Sequence, residues 1–350
     1  MKSKDPEKVI ITGGHEVGGL SSYAEALAEG FYELGIPTEI ISPQSIYRRL
    51  RDLRSRKVLK ILSTTAAFAA PFARRAICAC HGCPCADVQG WAKVLGFLGS
   101  YKIANWSPDT KFVSVSEYTA IHLQQIFNIK IDAVIRNPVK SIFFETLTAP
   151  QPERVYITYV GRLHPSKNIH RLLPAILHCL ADDSRLRACI VGDGVLLRTL
   201  QRMYVNEKRI EFFGPLGSRS VRDVLRQSKV FISGNQTEAY GITYLEALSQ
   251  GCAVVMPASG GGMEIAPELI GKQIQLMSIS LREKDVVPVL RRALNTPCAR
   301  VVLPQYTVKA VAQQYLQVDR GELDACWSPA RTILTTTPES NDDYFKNTKR

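Results

Sequence analysis

No stretch of the 350-residue chain reaches the ~18 uninterrupted apolar residues that a membrane-spanning helix needs. The best candidate, Leu62 to Phe72, is short, alanine-rich and ends near Arg74 and Arg75. The N-terminus lacks a signal-peptide core, because Met1-Lys-Ser-Lys-Asp-Pro runs straight into strand-forming residues. Together these absences give the expectation of a cytoplasmic protein. The nine cysteines make no regular framework. An odd count, with most of them inside apolar runs (Cys179, Cys189, Cys252), reads as reduced core thiols. Recognisable nucleic-acid motifs are missing, and the basic residues are not interleaved with aromatics that would stack bases, so no nucleic-acid partner is expected. What remains is a globular composition, 45% apolar and 22% charged, long enough for about two domains.

The net charge of +12 is unevenly spread. Half of it falls between Tyr47 and Lys60, where Arg48, Arg49, Arg51, Arg54, Arg56, Lys57 and Lys60 face Asp52 alone. Ile46, Leu50, Leu53, Val58, Ile61 and Leu62 recur among them at roughly helical spacing. That pattern predicts a basic amphipathic helix suited to the anionic inner face of a membrane, with an ordinary solvated helix as the plain alternative.

Strands alternate with helices along the chain. Lys8 to Thr12 reads as a buried strand. A glycine-lined turn (Gly13, Gly14, Gly18, Gly19) and an amphipathic helix follow, and Ile36 to Ser42 returns as a strand, completing a βαβ unit. The glycines do not fit G-x-G-x-x-G and the second strand ends on Ser42 rather than an acid, which argues against a nicotinamide dinucleotide. Gly18 and Gly19 still allow close approach of backbone to a bound group. A second strand–helix series starts at Val155. The expected organisation is an α/β chain of two doubly wound parallel-sheet domains facing a cleft, residues 1–150 and 151–318, with a segment 319–350 whose tail is poorly ordered from about 335.

The densest chemistry lies in Thr237-Glu-Ala-Tyr-Gly-Ile-Thr-Tyr-Leu-Glu-Ala-Leu248. Glu238 and Glu246 bracket a loop opening into a helix, where the backbone N–H groups of Tyr240, Gly241 and Ile242 can cradle an anion. Carboxylates repel phosphate, so the two glutamates are suited to neutral hydroxyls, such as those of a ribose and a second sugar. Arg162 and Lys167, on the loop after the strand Val155 to Gly161, supply the counter-charge for a diphosphate.

These motifs, in order, resemble the retaining glycosyltransferases of family 4. The matching residues are Tyr159-Val-Gly-Arg-Leu163, Lys167, Val191-Gly-Asp-Gly194, Phe212-Phe-Gly214, the E-x(7)-E pair Glu238 and Glu246, and Gly260-Gly-Gly-Met-Glu264. The resemblance covers about residues 155 to 265 and is thinner before. It implies the GT-B fold of two Rossmann-like domains, a nucleotide-sugar donor as co-substrate, and a glycan or glycolipid acceptor in cell-surface polysaccharide or lipopolysaccharide synthesis. It also implies roles: Glu246 on the ribose hydroxyls, Arg162 and Lys167 on the diphosphate, Glu238 on a hydroxyl of the transferred sugar, and His81 facing that sugar. No D-x-D triplet occurs, so the metal clamp of the other large glycosyltransferase fold has no ligands and no metal is expected. Cys78-Ala-Cys-His-Gly-Cys-Pro-Cys85 is the sharp alternative around His81, although its spacing is poor for tetrahedral zinc. Asn168, Asn235, Ala239 and Pro138 depart from the family pattern without removing a charge. The competing functions are a catalytically idle relative that binds nucleotide sugar or membrane, and a nucleotide-sugar hydrolase or epimerase.

Overall fold

The computed structural model describes residues 5–13, 19–82, 91–145, 152–297 and 299–323. Two six-stranded sheets form the frame, and every strand pairing is parallel. The first contains β1 (Lys8–Thr12), β2 (Thr38–Ile41), β3 (Val58–Ser63), β4 (Ala76–Cys80), β5 (Thr110–Ser114) and β6 (Ala133–Val134), in the order β2-β1-β3-β4-β5-β6. The second contains β7 (Tyr156–Val160), β8 (Arg187–Val191), β9 (Ile210–Gly214), β10 (Ser228–Ile232), β11 (Ala253–Pro257) and β12 (Ile274–Met277), in the order β12-β11-β10-β7-β8-β9. In each sheet the order reverses beside its first strand. The crevice at such a reversal, beyond the strands' carboxyl ends, is where open α/β sheets bind ligands.

Helices flank the sheets: α1 (Gly19–Glu33), α2 (Leu50–Arg54), α3 (Trp91–Ala104), α4 (Glu117–Ile121), α5 (Ile169–Asp182), α6 (Leu197–Met203), α7 (Ser218–Arg226), α8 (Ile242–Ser249), α9 (Glu283–Leu294) and α10 (Val308–Arg320). Side chains on a strand alternate between faces, so Val9 and Ile11 of β1 join a core with α1 and α10 while Ile10 joins the core on the other face. Burial on both faces explains why these strands read as continuous apolar runs.

The helix α10 falls largely within the span 151–318 assigned to the second unit, yet it packs on the first sheet. Val311, Ala312, Tyr315 and Leu316 share a core with Val9, Leu27 and Phe31. A Cβ on Gly30 would stand 2.1 Å from the carbonyl oxygen of Val308, so glycine is what lets α1 and α10 approach. Two polar contacts fasten the helix. The hydroxyls of Tyr23 and Tyr315 lie 2.7 Å apart, and Arg75 donates to both oxygens of Asp319 at 2.6–3.1 Å.

The basic amphipathic helix expected over residues 47–60 does not form. The segment is a 3-10 turn (Pro43–Arg48), the single turn α2, and then β3. Val58, Ile61 and Leu62 are buried residues of β3, which lies between β1 and β4 and feeds the cores on both faces of the sheet, and are not a membrane-facing stripe. Their β-branched and apolar run suits a doubly buried strand, and tertiary burial decided between the two periodicities. Lys60 is fully buried, its Nζ donating to the carbonyls of Ser55 (2.7 Å), Val58 (2.8 Å) and Arg74, so it is no part of a surface. Burial and the neighbouring Arg75 lower its pKa to about 8. Arg49 pairs with Glu39 and Lys57 with Glu7, whereas Arg48, Arg51, Arg54 and Arg56 are exposed and make no ion pair among the described residues. None of the described helices is long and apolar enough to cross a membrane.

Candidate functional site

β7 delivers Gly161-Arg162-Leu163 to the carboxyl edge of the second sheet, and β8 delivers Gly192-Asp-Gly194 beside it. The loops are stitched together: Gly161 N–H donates to Val191 O (3.0 Å), Leu163 N–H to Asp193 O (2.8 Å) and Leu196 N–H to Leu163 O (3.0 Å). A Cβ on Gly192 would lie 2.0 Å from Gly161 O, and one on Gly194 2.5 Å from Leu163 O. Both glycines have positive φ, +131° and +149°. The V-G-D-G motif is therefore a close-packing requirement that presents Arg162. The Arg162 side chain is exposed and makes no hydrogen bond or ion pair among the described residues.

Lys167 ends the same loop, and its Nζ lies 3.8 Å from the carboxylate of Glu238, on the loop after β10. Asn168 follows at φ +55°, a left-handed conformation that asparagine tolerates, and its amide donates to Gly234 O at 2.9 Å. That hydrogen bond ties the Lys167 loop to the Glu238 loop and accounts for asparagine where the family resemblance expects glycine. Asn235, likewise unexpected, donates its side-chain amide to Glu238. From the other side the glycine turn clamps the main chain. Gly261 N–H donates to Glu238 O at 2.7 Å, and a Cβ on Gly261 would lie 2.0 Å from Ala239 O.

Gly241, at φ +87°, turns the chain into α8. Among the described residues no main-chain carbonyl accepts from the N–H groups of Tyr240, Gly241 or Ile242, as the anion-cradle reading requires. The ring of Tyr240 is buried, its centroid 6.1 Å from that of Tyr306, so any part it plays in a cradle is confined to its main chain. Glu246, a turn into α8, is 6% exposed and its carboxylate accepts no hydrogen bond among the described residues. Burial pushes its pKa up to about 7, against the opposing charge of Lys140. Sequence reasoning overlooked Lys140. It lies just after the Asn137-Pro138 turn, where its Nζ bonds Ser218 Oγ (2.9 Å) and Glu25.

His81 follows β4 directly, as the strand-end expectation had it. Its ring meets Tyr23 edge-on at a centroid distance of 4.1 Å, and Nε2 lies 3.4 Å from Ser63 Oγ. Burial pushes its pKa down to about 3, which favours the neutral ring as a hydrogen-bonding partner. Cys78 and Cys80, two apart on β4, sit in one core with unpaired thiols, and burial pushes Cys80 up to about 12. Cys83, Cys85 and Gly18 lie outside the described residues, among which no group of three or more His, Cys, Asp or Glu is placed to hold a metal. Gly19 opens α1 with nothing within 4 Å of where a Cβ would stand.

The two units touch where Gly260-Gly-Gly-Met-Glu264 meets the start of α4. The Glu264 carboxylate accepts from the main-chain N–H groups of Glu117 (2.9 Å) and Tyr118 (2.7 Å), with Arg136 3.5 Å away. Burial raises the Glu264 pKa while those two N–H groups and Arg136 oppose the rise. No sequence signal linked Glu264 to residues nearly 150 positions earlier.

With this geometry in hand, residues 144–270 match the family profile described as Glycosyl transferases group 1. The chain is 29% identical over 208 residues to the phosphatidylinositol N-acetylglucosaminyltransferase gpi3 subunit of Schizosaccharomyces pombe, covering 57% of this chain and 44% of that protein. Against a human phosphatidylinositol N-acetylglucosaminyltransferase subunit the identity is 29% over 249 residues, covering 67% and 51%. The matches therefore span about half the length of these relatives. Among solved structures, Anabaena HepE in complex with UDP and glucose superposes with a TM-score of 0.64 at 16% identity, covering 95% of this chain and all of that one. WaaG, a glycosyltransferase involved in lipopolysaccharide biosynthesis, gives 0.64 at 14% identity, covering 94% and all of that chain. The fold is GT-B.

Proposed function

We propose that this chain is a retaining, metal-independent glycosyltransferase of family 4 that moves a sugar from a nucleotide-sugar donor to a lipid-linked acceptor at an anionic membrane surface. One observation carries the reading. The loop bearing Arg162 and Lys167 is tied to the Glu238 loop, which runs on into the open start of α8 at the reversal point of the second sheet, and the buried carboxyl of Glu246 lies one turn into that helix. Such a site offers two cations and main-chain N–H groups to a diphosphate, and two carboxyl groups to hydroxyls.

In this reading Glu246 accepts from the ribose, Arg162 and Lys167 hold the diphosphate, Glu238 accepts from the transferred sugar, and neutral His81 hydrogen-bonds it from the first unit. The bond from the sugar's anomeric carbon to the phosphate oxygen breaks with its electron pair going to the phosphate. The acceptor oxygen bonds the same face of that carbon, and its proton passes to a phosphate oxygen, releasing nucleoside diphosphate. Cations pre-placed on the leaving group stabilise it more as its charge grows, which lowers the barrier. A lipid acceptor is supported by the relatives, whose names include phosphatidylinositol N-acetylglucosaminyltransferase subunits and an alpha-monoglucosyldiacylglycerol synthase. Exposed Arg48, Arg51, Arg54 and Arg56, with Tyr47 and Leu50 projecting among them, suit docking beside such a lipid.

Incubating the protein with uridine, guanosine and adenosine diphosphate sugars, lipid acceptors and EDTA, followed by mass spectrometry, tests this. Sugar attached to lipid with nucleoside diphosphate released supports it. Free sugar would make the protein a hydrolase, an isomerised nucleotide sugar an epimerase, and donor binding without turnover an idle relative.

A further inference from the structure

A groove of about 240 Å³ opens at the edge of the first sheet where the strands begin, opposite the edge that carries His81. Arg56, Arg74, Arg75, Asp109, Lys111 and Asp319 line it. They come together because parallel strands enter from one side: Arg56 precedes β3, Arg74 and Arg75 precede β4, Asp109 precedes β5 and Lys111 lies near its start, while Asp319 comes from the last turn of α10.

Within the groove Arg75 and Asp319 cancel, paired through both carboxylate oxygens. Lys111 donates to the uncharged carbonyl of Val318 and so keeps its charge. Arg56 and Arg74 make no ion pair among the described residues, and neither does Asp109. Under the loops, the buried Lys60 ammonium binds the carbonyls of Ser55 and Arg74 and so holds both loop ends in place from below. Arg56, Arg74 and Lys111 therefore stand against Asp109 alone. Arg75 is itself at φ +65°, a conformation an arginine adopts at some cost, and the Asp319 pair holds it there. At about 240 Å³ the open groove has room for a phosphate or diphosphate group.

We propose that this groove is a second anion site, binding a phosphate or diphosphate group on the face of the first unit remote from the donor cradle. The phosphate belongs either to a soluble ion or to a lipid headgroup, since the groove adjoins α2 through the Arg74 N–H to Leu53 O hydrogen bond (2.9 Å). The inference stands on the groove alone and does not depend on the transferase reading.

The test uses the full chain with Arg162→Ala and Lys167→Ala, which silences the donor cradle, titrated calorimetrically with pyrophosphate at low salt. In parallel, the same protein is pelleted with phosphatidylcholine vesicles with and without phosphatidic acid, leaving Arg48 to Arg54 intact. Adding Arg56→Gln with Arg74→Gln should weaken binding roughly tenfold, about threefold for each partly solvated charge, while Asp109→Asn should tighten it about threefold. Pyrophosphate binding that follows this pattern identifies a soluble phosphate. The pattern appearing only on phosphatidic acid vesicles identifies a headgroup. Absence of binding to both probes, or binding that both sets of substitutions leave unchanged, overturns the proposal.

Discussion

Replacing Glu246 with glutamine should make the free protein more stable at alkaline pH and a poorer binder of nucleotide sugar. The folded protein holds the Glu246 carboxyl at about 7, because burial disfavours the charged form, against 4.5 in the unfolded chain. A folded pKa above the unfolded one means that the native state keeps a proton the unfolded chain releases. The associated stability is fully present below pH 4.5 and is lost as pH rises through 7. Taking that rise at ~1.4 kcal/mol per tenfold, the loss is ~3 kcal/mol, spread over pH 4.5 to 7. Glutamine has no proton to lose, so Glu246→Gln keeps that stability at about pH 8.5 and matches wild type near pH 4.5. At about 2 °C per kcal/mol the melting curves should separate by roughly 6 °C at about pH 8.5. Donor binding should move the other way. Glutamine offers a neutral acceptor in place of a charged one, so each hydrogen bond to a ribose hydroxyl falls from ~1.5–3 to ~1 kcal/mol, and over two hydroxyls calorimetry with the accepted nucleotide sugar should show a roughly tenfold weaker Kd. Wild type and variant melting in parallel across pH, or Glu246→Gln binding the donor as tightly as wild type, would refute the reasoning.

Arg162→Ala and Lys167→Ala should each depress kcat at least tenfold with little change in melting temperature, since both act on a leaving group whose charge grows in the transition state; activity abolished by EDTA and restored by a divalent ion would contradict the metal-free reading. His81→Ala should cut transfer strongly while Cys80→Ser stays near wild type, and near-stoichiometric zinc or iron in the purified protein would reverse that ranking. Lys60→Met should destabilise the first unit by about 2–4 kcal/mol, because three carbonyls lose their buried donor, and an unfolding curve within about 0.5 kcal/mol of wild type would count against that account. Arg48, Arg49, Arg51 and Arg54 changed together to glutamine should release the protein from anionic vesicles, with salt mimicking the change because exposed charges are screened beyond ~8 Å; equal pelleting of wild type and variant would leave the stretch an ordinary solvated surface.

What was legible from sequence was whatever local pattern governs. Each strand–turn–helix unit of the second half shows its periodicity in its own residues. The V-G-D-G motif was legible as a match to the family pattern, whereas the positive φ of Gly192 and Gly194 and the close approach behind it came from the structure. The Glu238 to Glu246 spacing named the loop and the helix start. Tertiary structure alone settled the segment from Tyr47 to Leu62. Its apolar residues fit a helical and a strand period almost equally, and burial between β1 and β4 chose the strand and took Lys60 inside with it. Only the tertiary structure brought Tyr315 to Tyr23 beneath His81, Glu264 to the start of α4, and Arg74 and Lys111 to one groove. These pairings join residues tens to hundreds of positions apart, and the chain's local energetics carry no record of which distant partner a polar side chain will meet.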